Sequence, residues 1–342
     1  MPENEKLPLE SVIVCIADSG FVLPVYILVL SLKHFRPAQR IHILGISLSS
    51  EEKALFTQFS NVFVFESTIA RSDKPGAMRV IADILKGEAL LTARECSEPW
   101  IALLDGDCLV TGDITPYLQP GQPGLYVRER SPAEDNKIFL FYRKPGEPKT
   151  GIPKMFLDTW KNDVCENPEP ARTSTVLSGN LVLHRDYLDF SNVWKTFMEQ
   201  VLSYENPDSN DTAYYMPAEF ALSALLTFAK ETPPVYGVLL GSDPHAHVAH
   251  LGPSPKYWHV WSLKNLKHFN PIMNLLDEAK ANGYTIPLLP FALKKRNKLM
   301  IIMFAYFYHV AETVWKRSKR LYKRIFGNSF QSQARRYGRK TW

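Results

Sequence analysis

Apolar and polar positions along the first hundred residues fall into blocks of two lengths. Short apolar runs, Ser11 to Ile16 (SVIVCI), Ile41 to Ile46 and Asn61 to Phe65, read as buried strands. Between them, Val22 to Phe35 and Ser50 to Phe59 read as helices, the second capped by serine, and Ala17 to Gly20 reads as a turn. Pro75 to Arg94 carries Met78, Ile81, Ala82, Leu85 and Ala89 at helical spacing, and the strand Trp100 to Leu104 follows. Strands alternating with helices predict a parallel sheet with helices on both faces, and ligands bind such sheets outside the carboxyl ends of the strands.

The fourth strand runs into Asp105-Gly106-Asp107, then into Cys108-Leu109-Val110 and a turn at Gly112-Asp113. Residues i and i+2 of an extended chain point the same way, so the two aspartates converge while Gly106 leaves room for a ligand to approach the backbone. Like charges that close are costly unless a positive group joins them. A hard divalent cation, held in turn by diphosphate oxygens, is one answer. A plain polar connection between strands is the other, since Asp and Gly are common turn residues.

Composition narrows the class. With 342 residues, 45% hydrophobic and 22% charged, the chain has enough apolar surface for one large or two modest globular domains. Cys15, Cys96, Cys108 and Cys165 show neither metal spacing nor disulfide density, and three of them sit in apolar runs, which points to a reducing compartment. The opening MPENEKLPLE lacks the basic and apolar regions of a signal peptide, so a cytoplasmic location is expected. No internal repeat, P-loop or GxGxxG is present, which argues against an NTPase or a dinucleotide oxidoreductase.

Charge is unevenly spread. From Phe291 to Trp342 there are fourteen Lys or Arg against one acid, Glu312, so this tail carries about +13 and the rest about −8 of the net +5. Within the tail, the run Leu299 to Val310 lies between basic clusters, interleaved and followed by Tyr306, Tyr308, Trp315 and Tyr322. Twelve residues are too few to span a bilayer. Attachment to an anionic membrane surface as a helix or helix pair is the favoured reading, ahead of packing on the main domain and of nucleic-acid binding.

Several segments together resemble a known family. The phrase IALLDGDCLVTGDITPYL is similar to the strand-DxD-strand segment of glycosyltransferase family 8, nucleotide-sugar enzymes of GT-A fold. The opening VCIADSGFVLPVYILVLSL resembles the family's first strand, nucleotide-contacting loop and helix, with Asp18 in the loop. TVLSGNLVLHR resembles the strand that places Ser178, Gly179 and Asn180 beside the donor sugar. HVAHLGPSPKYW resembles the closing motif HxxGxxKPW: His250, Lys256 and Trp258 keep its spacing, Gly252 falls one position early, and Tyr257 replaces proline. His245 and His247 are close by, so His250 is assigned by its register with Lys256. Patchy likeness extends from Ser11 to about Trp261.

The resemblance implies an α/β GT-A fold with a mixed, mostly parallel sheet, a catalytic domain over residues 1–270 and a helical basic tail over 271–342. It also implies a metal site of Asp105, Asp107 and His250 for Mn²⁺ or Mg²⁺. The two carboxylates and a neutral imidazole suit Mn²⁺ at least as well as Mg²⁺. Donor contacts fall to Asp18, Asp105, Ser178, Gly179, Asn180, Gly252 and Lys256, with Lys256 balancing the diphosphate leaving group. From position alone, Lys74 and Arg79 open the helix before the DGD strand, where Arg79 above all is a donor-phosphate candidate and a solvated helix start is the alternative. Glu219 lies just inside a helix that opens near Pro217, where the family has glutamine. Helix capping and a catalytic role as base or nucleophile both stay open for it. The Pro- and Gly-rich stretch 119–175 reads as loops around the acceptor.

The activity implied is metal-dependent transfer of a sugar from a nucleotide-diphosphate donor, a UDP-sugar above all, to a glycan or lipid-linked acceptor in surface-polysaccharide or lipopolysaccharide synthesis. Retention of anomeric configuration is implied, with inversion left open by the Glu219 segment. A peripheral position at the cytoplasmic membrane face follows from the tail. The competing readings are a catalytically silent nucleotide-binding or membrane-tethering protein of the same fold, and a nucleic-acid binder acting through its basic tail.

Overall fold

The apolar runs become strands within a residue or two of where the pattern puts them. Along the chain of the computed structural model come β1 (Ser11–Asp18), α1 (Val22–Phe35), β2 (Arg40–Ile46), α2 (Ser50–Thr57), β3 (Val62–Glu66), α3 (Ala77–Ile84), α4 (Lys86–Leu91), β4 (Trp100–Leu104), β5 (Cys108–Val110) and α5 (Thr115–Leu118). They are followed by β6 (Leu125–Glu129), α6 (Pro132–Phe139), α7 (Lys154–Val164), β7 (Val176–His184), α8 (Phe190–Leu202), α9 (Pro217–Phe228), β8 (Val235–Gly237), β9 (Val248–His250), α10 (Phe269–Ala281) and α11 (Lys298–Phe326). The structure describes residues 10–71, 77–140, 142–202, 217–237, 247–252 and 256–326. Lys74, His245 and most of the N-terminal segment lie outside these residues, as does the tail beyond 326. Arg79 is helical in α3, and its side chain and that of Tyr322 also lie outside what is described.

Seven strands form one sheet in the order β3-β2-β1-β4-β7-β6-β8, and β5 pairs with β9 in a second, two-stranded sheet. β3, β2, β1 and β4 run parallel, β7 is antiparallel to both β4 and β6, and β8 is parallel to β6. The mixed, mostly parallel sheet implied by the GT-A resemblance is therefore present. β1 occupies the centre because both of its faces are apolar: Ile13, Cys15 and Ala17 enter one core while Val12 and Val14 enter the other. A strand covered on both sides reads as an unbroken apolar run rather than an alternating one.

The first core is closed by α1, α10 and the start of α11, the second by α4, α7, α8 and α9. The boundary drawn at residue 270 falls inside α10. Ile272, Met273, Leu276, Ala292, Leu293, Ile301 and Ala305 are all buried in the same core as β1, so the chain up to about residue 305 packs with the sheet. Beyond that point α11 continues with largely exposed residues.

Two further expectations need correction. Within the stretch 75–94, the residues from Ala77 to Leu91 form two short helices, α3 and α4, joined at Leu85 (φ −75°, ψ 0°). Gly87 packs on α8, where an added Cβ would lie 2.9 Å from Lys195 N and Ser191 O. The stretch 119–175, read as loops, contains β6, α6 and α7. Its Pro and Gly residues sit at the ends of these elements or in the connections between them. A reciprocal cap opens α6: Ser131 Oγ accepts from Glu134 N–H (3.2 Å) and Ser131 N–H donates to Glu134 Oε2 (3.1 Å). α7 turns Phe156 and Trp160 inward, and Trp160 meets Phe220 of α9 edge-on at 5.4 Å.

His42 on β2 gives the fold a measurable acid sensitivity. Its Nδ1 lies 3.1 Å from Thr92 O, which can only accept, so that nitrogen carries the proton and Nε2 is left to accept from Cys96 Sγ at 3.6 Å. Burial pushes its pKa down to about 4 against the support of the Thr92 bond. The unfolded chain takes up a proton near pH 6.5 and the native one near pH 4, so this stability is complete above pH 6.5 and fades as pH falls toward 4. The loss amounts to about 3 kcal/mol. His42→Asn should flatten denaturant-measured stability across that window; parallel pH curves for the two proteins would show that His42 stays charged when folded.

Candidate functional site

The site is built where β4 ends. Cys108 N–H donates to Asp105 O at 3.0 Å, so Asp105-Gly106-Asp107 forms a turn, and the two carboxylates converge through that turn rather than through extended chain. Gly106 is needed on the protein side, where a Cβ would lie 2.7 Å from Val25 Cγ2 of α1, and it also lines the larger cavity described below. β5 then pairs antiparallel with β9, Cys108 opposite His250, and Leu251 N–H donates to Asp107 O at 2.9 Å. This ladder brings His250 to Asp107 across 142 intervening positions. His247 lies at its other end, with its ring against Gly112.

Asp107 is almost fully buried and carries two partners. His250 Nε2 lies 3.0 Å from Oδ1 and Lys256 Nζ lies 2.5 Å from Oδ2. Burial favours the neutral acid, but these two neighbours outweigh it and hold the carboxyl at about 2. The bond to Asp107 raises the His250 pKa against burial. Asp105 differs: its Oδ1 is 3.5 Å from Lys86 Nζ, its Oδ2 is 3.7 Å from His250 Nε2, and burial raises its pKa despite both.

β7 supplies the far wall. Leu104 pairs with Asn180, whose Oδ1 accepts from Asp105 N–H (3.1 Å) and from Cys108 Sγ (3.3 Å). Lys86 Nζ donates to Ser178 Oγ at 3.3 Å. A Cβ on Gly179 would stand 2.5 Å from Asp105 Oδ2, and one on Gly252 would stand 2.9 Å from Asp107 Oδ2 and from His250 Nε2. Both positions need glycine because backbone passes directly beside the carboxylates.

These groups border two adjoining cavities. The larger, about 430 Å³, lies over the ends of β1, β2 and β4 and is lined by apolar Ile16, Phe21, Ile46 and Leu103 as well as by Asp18, Asp105, Asp107, His250 and Lys256. Asp18 Oδ1 accepts from Phe21 N–H at 2.9 Å, which fixes the loop after β1. The second cavity, about 270 Å³, is lined by Arg128, Ser178, Gly179, Asn180 and Glu219, and shares Asp83, Lys86, Asp105 and His250 with the first. Both fall in or near the size range of small-molecule sites.

Glu219 sits in the first turn of α9, where its carboxylate forms a buried ion pair with Arg130, which follows β6. Burial raises it to about 7 against the pull of Arg130 and Lys86. Lys86 is itself buried. Burial alone would lower its pKa, and Asp105, Asp83 (3.2 Å) and Glu219 more than reverse that. Sequence reasoning missed Lys86, Asp83, Arg128 and Arg130. The available signal was a lysine next to Leu85 on the apolar face of a predicted helix, where a charge has no solvent and needs partners.

Asp105, Asp107 and His250 are also the one cluster among the described residues with metal-ligand geometry, each offering an atom within 4.8 Å of the others. Around a cation bound at about 2.1 Å, adjacent ligand atoms stand ~3 Å apart and opposite ones ~4 Å. The His250 to Asp107 separation of 3.0 Å already matches the first, and the 3.7 Å to Asp105 asks for a small closure. The donor set fits a divalent cation.

No protein-family profile matches the sequence, and a search of curated proteins finds no match either. Among solved structures, the chain is similar to the galactosyltransferase LgtC in complex with donor and acceptor sugar analogues, at 14% identity and TM-score 0.47, over 81% of this chain and 97% of that one. An active-site mutant of LgtC matches at 15% identity and TM-score 0.46, over 78% of this chain and 95% of that one. The glycosyltransferase GlyE of Streptococcus pneumoniae TIGR4 matches at 14% identity and TM-score 0.44, over 81% of this chain and 64% of that one.

The Gly179 contact yields a test that needs no substrate. Gly179→Ala should displace the Asp105 carboxylate and weaken Mn²⁺ binding roughly 10- to 100-fold, with thermal stability lowered by no more than a few degrees. Titration calorimetry reads the affinity, and wild-type affinity in the variant would place Asp105 outside the cation site.

Proposed function

We propose that the chain is a metal-dependent glycosyltransferase of GT-A type that takes a nucleotide-diphosphate sugar as donor. One observation carries the reading: Asp105, Asp107 and His250 converge at the end of the sheet, on the rim shared by two cavities suited to the two halves of such a donor. The larger cavity has an apolar floor for a base and ribose, with Asp18 and Phe21 at its edge. The smaller is lined by Ser178, Gly179 and Asn180 and by charged groups able to take sugar hydroxyls.

Asp105, Asp107 and His250 would hold Mn²⁺ or Mg²⁺, which when bound neutralises the donor's phosphates. Lys256, on the other oxygen of Asp107, is within reach of the same diphosphate and supports the charge that develops as the nucleoside diphosphate departs. Lys86 keeps Asp105 and Ser178 in place from behind. Glu219, held by Arg130, faces the sugar side of the cavity and serves as a fixed hydrogen-bond acceptor more readily than as a nucleophile, since its charge is already shared. Retention of configuration, as the family resemblance implies, fits this arrangement. The acceptor reading is a glycan or lipid-linked glycan in surface-polysaccharide or lipopolysaccharide synthesis.

α11 supports a membrane-surface position. No helix among the described residues is long and apolar enough to cross a membrane. Ile301 and Ala305 bind α11 to the body, while Met300, Met303, Phe304, Phe307, Val310, Val314 and Trp315 are exposed along it, near Lys298, Lys316 and Arg317. Apolar and basic groups on one exposed helix suit an anionic bilayer interface, which supports reading the enzyme as peripheral at the cytoplasmic membrane face.

Two experiments test the reading. Asp107→Asn should lower sugar transfer or donor hydrolysis with Mn²⁺ by at least about 100-fold while circular dichroism stays native; full turnover in that variant would remove the metal from the mechanism. NMR of the product anomer then decides retention. For the membrane, reversing Lys316 and Arg317 to glutamate should weaken co-sedimentation with vesicles rich in phosphatidylglycerol by at least about tenfold. Equal binding to purely zwitterionic vesicles would leave the tail without an anionic-lipid role.

A further inference from the structure

The Asp107 carboxylate is claimed twice. His250 Nε2 occupies Oδ1 at 3.0 Å and the Lys256 ammonium occupies Oδ2 at 2.5 Å. Lys256 is held on the cavity side by more than this ion pair, since its Nζ stands 5.3 Å from the Phe21 ring and 5.7 Å from the Trp258 ring, whose faces attract a cation. Phe21 and Trp258 brace each other edge-on at 5.2 Å. Of the other acids that line this cavity, Asp18 serves the Phe21 N–H at 2.9 Å and Asp83 serves Lys86 at 3.2 Å.

A divalent ion bound through Asp107 therefore arrives beside an ammonium group on the same carboxylate. Like charges one ligand apart in a nearly buried site repel strongly. An incoming diphosphate changes the balance, because its oxygens coordinate the ion and accept from Lys256 at once. The ammonium then exchanges one anionic partner for another and keeps its position over the two rings. We propose that Lys256 makes the site selective for a cation–diphosphate complex over the bare cation, so that metal and donor enter as one unit. By reciprocity, each partner then raises the affinity for the other by the same factor. The inference rests on the cation site proposed above and adds a second role for Lys256, that of excluding an unaccompanied ion.

Binding measured by titration calorimetry on the full chain tests this without any turnover, using Mn²⁺ alone and a preformed 1:1 Mn²⁺–pyrophosphate complex as probes. Lys256→Gln should bind bare Mn²⁺ at least about tenfold more tightly than wild type and the complex at least about tenfold more weakly. Opposite signs are the signature, since mere structural damage weakens both. Lys256→Arg keeps the charge and should behave as wild type toward bare Mn²⁺, and Lys256→Met should repeat the result of the glutamine variant if polarity at that position affects folding. Unchanged or weaker binding of bare Mn²⁺ by both neutral variants overturns the exclusion role while leaving the metal site standing. If neither wild type nor these variants bind Mn²⁺ in either form, the metal site and the inference fall together.

Discussion

The site depends on one electrostatic constraint: two carboxylates at the end of a buried strand must remain ionised next to each other. Asp107 meets it by accepting from His250 and Lys256, which together outweigh burial and the neighbouring charge. Asp105 meets it less completely and leans on Lys86, a cation that is buried in turn only because Asp83, Asp105 and Glu219 surround it. Basic and acidic groups thus alternate from Lys256 through Asp107, His250, Asp105 and Lys86 to Glu219 and Arg130. Removing one member leaves its neighbour buried without compensation, which is the expensive way to break such a chain.

Each pairing is delivered by a different part of the fold. The parallel strands bring the ends of β1, β2 and β4 together and make the cavity floor. β7, antiparallel in an otherwise parallel neighbourhood, lays Ser178, Gly179 and Asn180 along Asp105. The small β5-β9 ladder fixes His250 opposite Cys108. Glycine appears where backbone has to pass beside a carboxylate, at 179 and 252, and there the constraint is steric rather than conformational. The walls are thus fixed by backbone pairing, while the flexible stem of Lys256 lets one ammonium serve either a carboxylate or a phosphate.

The C-terminal region joins two physical tasks in one segment. Residues 269–305 complete a core that β1, β2 and α1 leave open, with Trp261 Nε1 donating to Ala292 O at 2.8 Å to close the connection. The same helix that contributes Ile301 and Ala305 then extends outward with apolar and basic residues uncovered. Binding at a surface through α11 would therefore be transmitted to a body to which the helix is firmly packed, rather than to a tethered tail.

The sequence by itself determined what local pattern can determine. Apolar runs located β1 to β4, because strands buried on both faces leave an unmistakable signal, and DGD marked the end of β4. The motif around His250 and Lys256 was legible through its spacing, as were Ser178 to Asn180. What escaped were features set by partners distant in the chain. The segment 119–175 looked like loops because its turn residues outnumber the short apolar stretches of β6, α6 and α7. Lys86 and Arg130 went unremarked, because the carboxylates that justify burying them lie at positions 83, 105 and 219. Glu219 was recognised, yet its ion pair with Arg130 depends on α9 packing beside the end of β6. Sequence names the charged groups; tertiary structure alone decides which of them lose their water, since desolvation depends on everything that surrounds a side chain and not on its neighbours along the chain.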